Sequence, residues 1–157
     1  MIVIPDDNDG SQIHTINANT VVFSQDEVAC VDELWAEYQT AGSKISGYYF
    51  LVEKEGDLVL GYACYGPRAL TDRTYDLYWI AVNPQARRSG VGRKLLTATE
   101  EAVRALGGRL LIVETSGLPK YEATRAFYLA THYLLEATLK DFYSDGDDLV
   151  IFTKKLI

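Results

Sequence analysis

The sequence predicts a mixed α/β domain organised around one sheet. Strand-like runs outnumber helical ones and alternate with them along the chain. The length of 157 residues suits one domain, with a core large enough to need neither metal nor disulfide. No internal repeat, low-complexity segment or linker breaks the pattern, so residues 1–157 read as a single domain.

The elements follow in order. Ile2–Pro5 reads as a short strand. Asp9–Asn17 stays open, because Ile13 and Ile16 have helical spacing while Gly10 lies close to the start. A helix begins at Ser24, where Ser24 and Glu27 form a capping-box pattern. Val28, Val31, Leu34, Trp35 and Tyr38 then recur at steps of three and four, and Gly42 marks the end. Gly47–Lys54 and Leu58–Tyr65 are strand-like, rich in aromatic and branched residues, with a turn at Glu55–Asp57. Thr74–Val82 is a further strand, stopped by Asn83 and Pro84. A helix from about Gly90 to Leu106 presents Val91, Leu95, Thr99, Ala102, Val103 and Leu106 on one face. Arg109–Thr115 contains the continuous apolar run Leu110–Val113, the pattern of a strand buried on both faces. Tyr121–Thr131 is a short helix, and Tyr133–Tyr143 with Leu149–Leu156 form a hairpin.

Composition narrows the function classes. Apolar residues make up 48% and charged residues 24%, as in soluble globular domains. Met1–Ile4 is too short for a signal peptide, and no apolar run approaches the roughly 20 residues of a membrane helix. No membrane association and a cytoplasmic location are therefore expected. Cys30 and Cys64 read as two buried free thiols rather than a bridge, which fits a reducing compartment. A net charge of −7 argues against nucleic acid as a partner. It is compatible with a cationic substrate but says little by itself. No His, Cys, Asp and Glu cluster has metal-ligand spacing, so no metal is expected. Neither a serine nor a cysteine has a histidine at the spacing of a nucleophile and its base, and His14 and His132 read as structural or surface residues.

The chemistry-bearing stretch runs from Trp79 to Leu96. A hydrophobic strand ends at a proline, a basic glycine-bearing loop follows, and an amphipathic helix starts inside that loop. A helix N-terminus offers unpaired amides and positive dipole charge to a phosphate. Gly90 and Gly92 remove side chains from its approach, and Arg87, Arg88, Arg93 and Lys94 reverse the sign of an otherwise acidic chain. A dinucleotide fingerprint fails, because Leu95 stands where its third glycine belongs. The P-loop pattern is absent. A loop that only caps a helix, with solvated arginines, remains the plain alternative.

The pattern Arg87-x-x-Gly90-x-Gly92 after a strand resembles the pyrophosphate loop, R/Q-x-x-G-x-G/A, of the GNAT superfamily of acyl-CoA-dependent N-acyltransferases. The resemblance covers about Ser24 to Ile157 and is strongest from Tyr75 to Tyr133. It implies a single mixed, mostly antiparallel central sheet flanked by helices, with the strands around Tyr75–Val82 and Arg109–Thr115 splayed. It implies acetyl-CoA as co-substrate, with the pantetheine arm on the backbone of Ile80, Ala81 and Val82. The pyrophosphate would sit on the amides of Arg88, Ser89, Gly90, Val91, Gly92, Arg93 and Lys94, with Arg87 opening the motif. The family's F-Y-x-x-x-G-F/Y segment is similar to Phe127–Tyr133 and casts Tyr128 as the general acid for the leaving thiolate.

Three positions depart from the family pattern. His132 replaces a glycine, while Tyr121 and Thr124 stand where many members carry asparagine and alanine. Thr124 is therefore a candidate coenzyme contact of altered character. A carboxylate is expected to take the amine's proton, directly or through water. Glu114 at the end of its strand is the first candidate and Asp76 the second. Tyr48, Tyr49, Tyr65 and Tyr78 read as core packing before an acceptor pocket. Asp145, Asp147 and Asp148 read as a solvated turn before an acceptor lure. The expected activity is acetyl transfer from acetyl-CoA to a primary amine by direct attack in a ternary complex, and a homodimer is common in such enzymes. The competing reading is a non-catalytic acyl-CoA sensor on the same fold, and a donor other than acetyl stays open.

Overall fold

In the computed structural model, which describes residues 1–157, the alternation resolves into β1 (Ile2–Val3), α1 (Gly10–Ala18), α2 (Gln25–Ser46), β2 (Tyr49–Glu55), β3 (Leu58–Pro67), β4 (Thr74–Val82), α3 (Val91–Ala105), β5 (Leu110–Ser116), α4 (Glu122–Ala130), β6 (Leu134–Ser144) and β7 (Asp147–Lys155). The strands form one seven-stranded sheet in the order β1-β2-β3-β4-β5-β7-β6. Every neighbouring pair is antiparallel except β4 and β5, which run parallel. The α3 helix supplies the crossover that a parallel pair requires.

Helices cover both faces. On one, α3 and α4 pack Val91, Leu95, Leu96, Val103 and Tyr128 against Ala63, Leu77, Leu111, Val113 and Phe152. On the other, α1 and α2 pack Ile13, Ile16, Val31 and Trp35 against Phe50, Val52, Tyr62 and Cys64. Strand alternation makes this possible: Leu111 and Val113 on β5 enter the α3 side, which turns Ile112 and Glu114 the other way. Each buried aliphatic side chain on α3 contributes about 1.5–3 kcal/mol, enough to fix the helix where its N-terminus meets the end of β4.

A polar clamp holds the other end of α3. Buried Glu100 accepts from Lys154 Nζ of β7 at 2.9 Å and from Tyr133 Oη at 3.1 Å. The same ammonium donates to the carbonyl of Thr131 at 3.1 Å, so α3, β7 and the end of α4 share one charge pair.

The structure corrects several sequence expectations. The open segment Asp9–Asn17 is mostly helical, because Asp6 and Asp9 form a capping box over a short 3₁₀ turn that leads into α1. Gly42 does leave helical geometry, at φ 71°, but the chain resumes a last turn to Ser46 before Gly47 ends it. Leu106 lies outside α3 and is largely exposed. The apolar run of β5 is buried on alternate residues only, since Leu110 and Ile112 stay half-open on the α2 face. Cys30 is an exposed thiol, placed on the outer side of α2 beside buried Val31, while Cys64 is buried as expected. No helix is long and apolar enough to cross a membrane.

The clamp yields a stability prediction. Glu100→Gln leaves Lys154 without its carboxylate and should cost about 3 kcal/mol, the lower end for a broken buried pair because Lys154 keeps some contact with water. Urea denaturation of the two proteins measures it.

Candidate active site

The β4 and β5 strands pair at only four rungs, from Thr74↔Leu110 to Leu77↔Val113, although both continue beyond. The separation begins where β4 carries an extra residue. Cys64 of β3 faces Trp79 and Tyr65 faces Leu77, so Tyr78 is bulged out of the ladder. The expected splay around Tyr75–Val82 and Arg109–Thr115 is therefore present, and a fork opens after Leu77 and Val113.

Backbone polarity along the fork follows from the register with β3. The Asn83 amide donates to the Leu60 carbonyl at 2.8 Å. With Tyr62↔Ala81 in the same register, the alternation of an antiparallel ladder commits Ala81 to β3. The intervening residues, Ile80 and Val82, turn their N–H and C=O groups to the open edge. Ala81 was grouped with them on the sequence. Its backbone points to β3 and its methyl lies in the α1–α2 core, so it offers the fork no polar group.

The loop after β4 is built to leave amides free. Asn83 Oδ1 accepts from Gln85 N at 3.0 Å and closes a 3₁₀ turn over Pro84–Ala86, and the Ser89 hydroxyl donates to the Ala86 carbonyl. Arg88 and Gly90 take left-handed backbone at φ 63° and 80°. No side chain caps α3 at Gly90, and its first helical bond is Lys94 N to Gly90 O at 3.0 Å. The amides of Val91, Gly92 and Arg93 thus face outward unpaired beside the end of β4. The Val91 side chain is core, so only its backbone is available. Arg87, Arg88, Ser89 and Arg93 are exposed, while Lys94 leans to buried Glu53 at 3.4 Å. A methyl group placed on Gly92 would meet Val82 and Phe127 at 3.6–3.7 Å, ordinary contact distances, so packing does not require glycine there.

Tyr128 on α4 stacks among Phe127, Tyr133 and Phe152 with ring centroids 5.5–5.6 Å apart. Burial alone pushes its phenol well above the usual tyrosine range. Its hydroxyl has no partner in the chain, yet it is not fully enclosed, since Asn17 Nδ2 is the one fully enclosed polar side-chain atom without a partner. Thr124, half-buried, lies one turn before it on the same helix. Tyr121 is engaged elsewhere: its hydroxyl lies 3.1 Å from both the Val22 carbonyl and Glu27 Oε1, tying the approach to α4 to the cap of α2. His132 adopts φ 68°, the left-handed turn that glycine would take freely, at a cost of about 1–2 kcal/mol.

The two carboxylates singled out on the sequence meet at the fork on its α2 face. Arg68, just past β3, places Nη1 2.7 Å from Asp76 Oδ1 and 3.2 Å from Glu114 Oε1. Burial raises the Asp76 carboxyl above its ordinary value; the guanidinium pulls it down and Glu114 pushes it up. Glu114 is the more open of the two. Arg68 escaped the sequence reading because nothing in the spacing of one arginine after Pro67 marks it. The tyrosines form packing pairs as expected, Tyr48 with Tyr78 at 5.6 Å and Tyr49 with Tyr65 at 5.4 Å. A depression at the start of α3, between Met1, Ile2, Glu53, Arg93 and Lys94, includes none of Tyr128, Ile80, Val82 or Glu114.

An open strand edge, an uncapped helix N-terminus and a partnerless phenol together form a candidate site whose chemistry suits an extended ligand with an anionic end. Comparison with known proteins gives that class its family. Residues 16–133 match the model of the Acetyltransferase (GNAT) family. The chain belongs to this family. A GNAT-family protein of Desulfovibrio desulfuricans has the same fold over the whole of both chains, with a TM-score of 0.95 and 40% identity. YncA of Salmonella typhimurium, solved with acetyl-CoA, covers this whole chain and 94% of its own, with a TM-score of 0.80 and 23% identity, a likeness of fold. The amino-acid acetyltransferase of Pseudomonas aeruginosa PAO1 is 32% identical over 108 residues, 69% of this chain. The chain spans about a quarter of the length of that relative, 24%.

The space at Gly92 predicts that alanine is tolerated in folding and in binding alike. Gly92→Ala should leave the melting temperature unchanged or slightly raised, since glycine within a helix costs about 0.5–1 kcal/mol. Acetyl-CoA affinity should stay within about threefold, since the pattern R/Q-x-x-G-x-G/A admits alanine here and the methyl group packs on Val82 and Phe127. Calorimetric titration and thermal unfolding read the two effects separately.

Proposed function

We propose that the chain transfers the acetyl group of acetyl-CoA to a primary amine by direct attack within a ternary complex. The observation that carries this reading is the fork: the free backbone of Ile80 and Val82 lies between the uncapped start of α3 and the phenol of Tyr128. The pantetheine arm would add to the open edge of β4 in strand fashion, as extended ligands do. The pyrophosphate would rest on the amides from Arg88 to Arg93, since the Lys94 amide is taken by the Gly90 carbonyl, with Arg87, Arg88 and Arg93 adding charge and Thr124 beside the thioester end of the path.

The amine nitrogen attacks the thioester carbonyl carbon, forming the C–N bond and moving the carbonyl electron pair to oxygen. Collapse of that intermediate breaks the C–S bond and leaves the pair on sulfur. Tyr128 donates its proton to the thiolate, and the nitrogen's proton passes to Glu114, with Asp76 as second candidate, directly or through an ordered water. Products are the acetamide and coenzyme A. Burial keeps the Tyr128 phenol protonated beyond the ordinary tyrosine range, so the acid form is present throughout neutral and mildly alkaline pH.

The relatives' names frame the acceptor without fixing it. One relative is an amino-acid acetyltransferase, and a neighbour solved with coenzyme A is an aminoglycoside 6′-N-acetyltransferase. A primary amine is what those acceptors share.

Coenzyme A release, followed as free thiol over amino acids, polyamines, aminoglycosides and peptide N-termini, tests the proposal. One class should turn over, and Tyr128→Phe should lower kcat on the order of 10²-fold or more while acetyl-CoA affinity is kept. A phenylalanine variant of undiminished activity would remove Tyr128 from the reaction. Tight acetyl-CoA binding with no release for any amine would favour the sensor reading.

A further inference from the structure

The structure assigns a role to Arg68 that the sequence does not disclose. We propose that Arg68 is a positioning residue: one guanidinium nitrogen holds Asp76 and Glu114 together across the fork, so that both are aligned when the acceptor amine arrives. The inference rests on the reading of these carboxylates as the proton acceptors of the transfer.

The placement is specific. Asp76 lies one rung before the last pair of the β4–β5 ladder, and Glu114 is the first residue of β5 beyond that pair. Arg68 Nη1 reaches both, at 2.7 Å and 3.2 Å, so the guanidinium spans the fork where the backbone ladder ends. Its own backbone is anchored. The Arg68 amide donates to the Thr74 carbonyl at 2.8 Å, and its carbonyl accepts from Thr71 Oγ1 at 2.8 Å. Leu70 and Arg73 hold left-handed backbone at φ 61° and 59°, a cost borne by the loop that returns the chain to β4.

The charge count fits an ammonium. Two carboxylates on one guanidinium leave one net negative charge, matched by a single protonated amine. The other titratable groups that face this cluster are Tyr78 of β4, beside Asp76 and Arg68, and Tyr143 of β6, beside Glu114. Both are acids, and Arg68 is the cation that pairs with Asp76 and Glu114 and counters their mutual repulsion. The nearby Arg73 and Arg109 pair with Asp72 instead.

Carbon-13 NMR titration of the side-chain carboxyls, assigned with Asp76→Asn and Glu114→Gln, tests the proposal without any acceptor. In Arg68→Gln the Asp76 midpoint should rise by about one pH unit or more, the effect of removing a contacting opposite charge. Arg68→Lys should return most of that shift. Glu114→Gln should lower the Asp76 midpoint, since the shared guanidinium then serves one carboxylate. Unmoved midpoints in Arg68→Gln would overturn the proposal. If that variant does not fold, an unmoved Asp76 midpoint in Glu114→Gln would do so. Where the midpoints move as stated, the acid limb of kcat/KM should move with them. Should Glu114→Gln and Asp76→Asn each keep full turnover, the hold of Arg68 on the pair stands and the assignment of the proton acceptor falls.

Discussion

The loss of pairing between β4 and β5 is the constraint on which the site depends. A backbone amide or carbonyl withdrawn from a ladder and left without a partner costs free energy comparable to a lost hydrogen bond. Here the bulge at Tyr78 twists β4 away after four rungs, and the α3 crossover keeps the far halves of the two strands apart. Ile80 and Val82 consequently present strand-like donors and acceptors that nothing in the chain satisfies. A ligand arm able to act as an extra strand would remove that cost, and on the proposed reading this turns a defect in a sheet into a binding surface.

Electrostatics then divides the fork into two ends. At one, the acidic protein turns locally basic, with free amides and exposed arginines around a left-handed Gly90. At the other, Asp76 and Glu114 share Arg68 under the acidic edge of the β6–β7 hairpin. On the α3–α4 face Tyr128 sits in an apolar cage that favours its neutral form. These charges would draw an anionic group to one end and a cationic one to the other, as the proposed transfer requires, with Tyr128 as its proposed proton donor. The clamp of Glu100, Lys154 and Thr131 links this arrangement to folding, because it fixes both helices that carry site residues.

Much of this was legible in the sequence where local chemistry is periodic or forced. The strand before Pro84, the glycines of the loop and the apolar face of α3 each follow from short-range rules, and they carried the loop motif. What stayed hidden depends on registry and distance. Nothing in the composition of β4 distinguishes the outward backbone of Ile80 and Val82 from that of Ala81, since the difference arises only from pairing with β3. Arg68 joins residues 8 and 46 positions away, a contact that no spacing rule encodes. Cys30 looked buried because it lies within an amphipathic helix, yet the stripe that packs passes through its neighbour Val31. His132 shows the reverse case: histidine in place of the family's glycine argues for a different turn, yet the chain adopts the left-handed one regardless.

Hydrogen exchange at single backbone amides of β4, with and without acetyl-CoA, tests the central claim most directly. In the free protein the amides of Ile80 and Val82 should exchange quickly while that of Ala81, bonded to β3, is protected. Saturation with acetyl-CoA should slow Ile80 and Val82 strongly and leave Ala81 little altered. Fast exchange that persists at Ile80 and Val82 in the saturated protein would contradict the claim that the open edge of β4 holds the coenzyme.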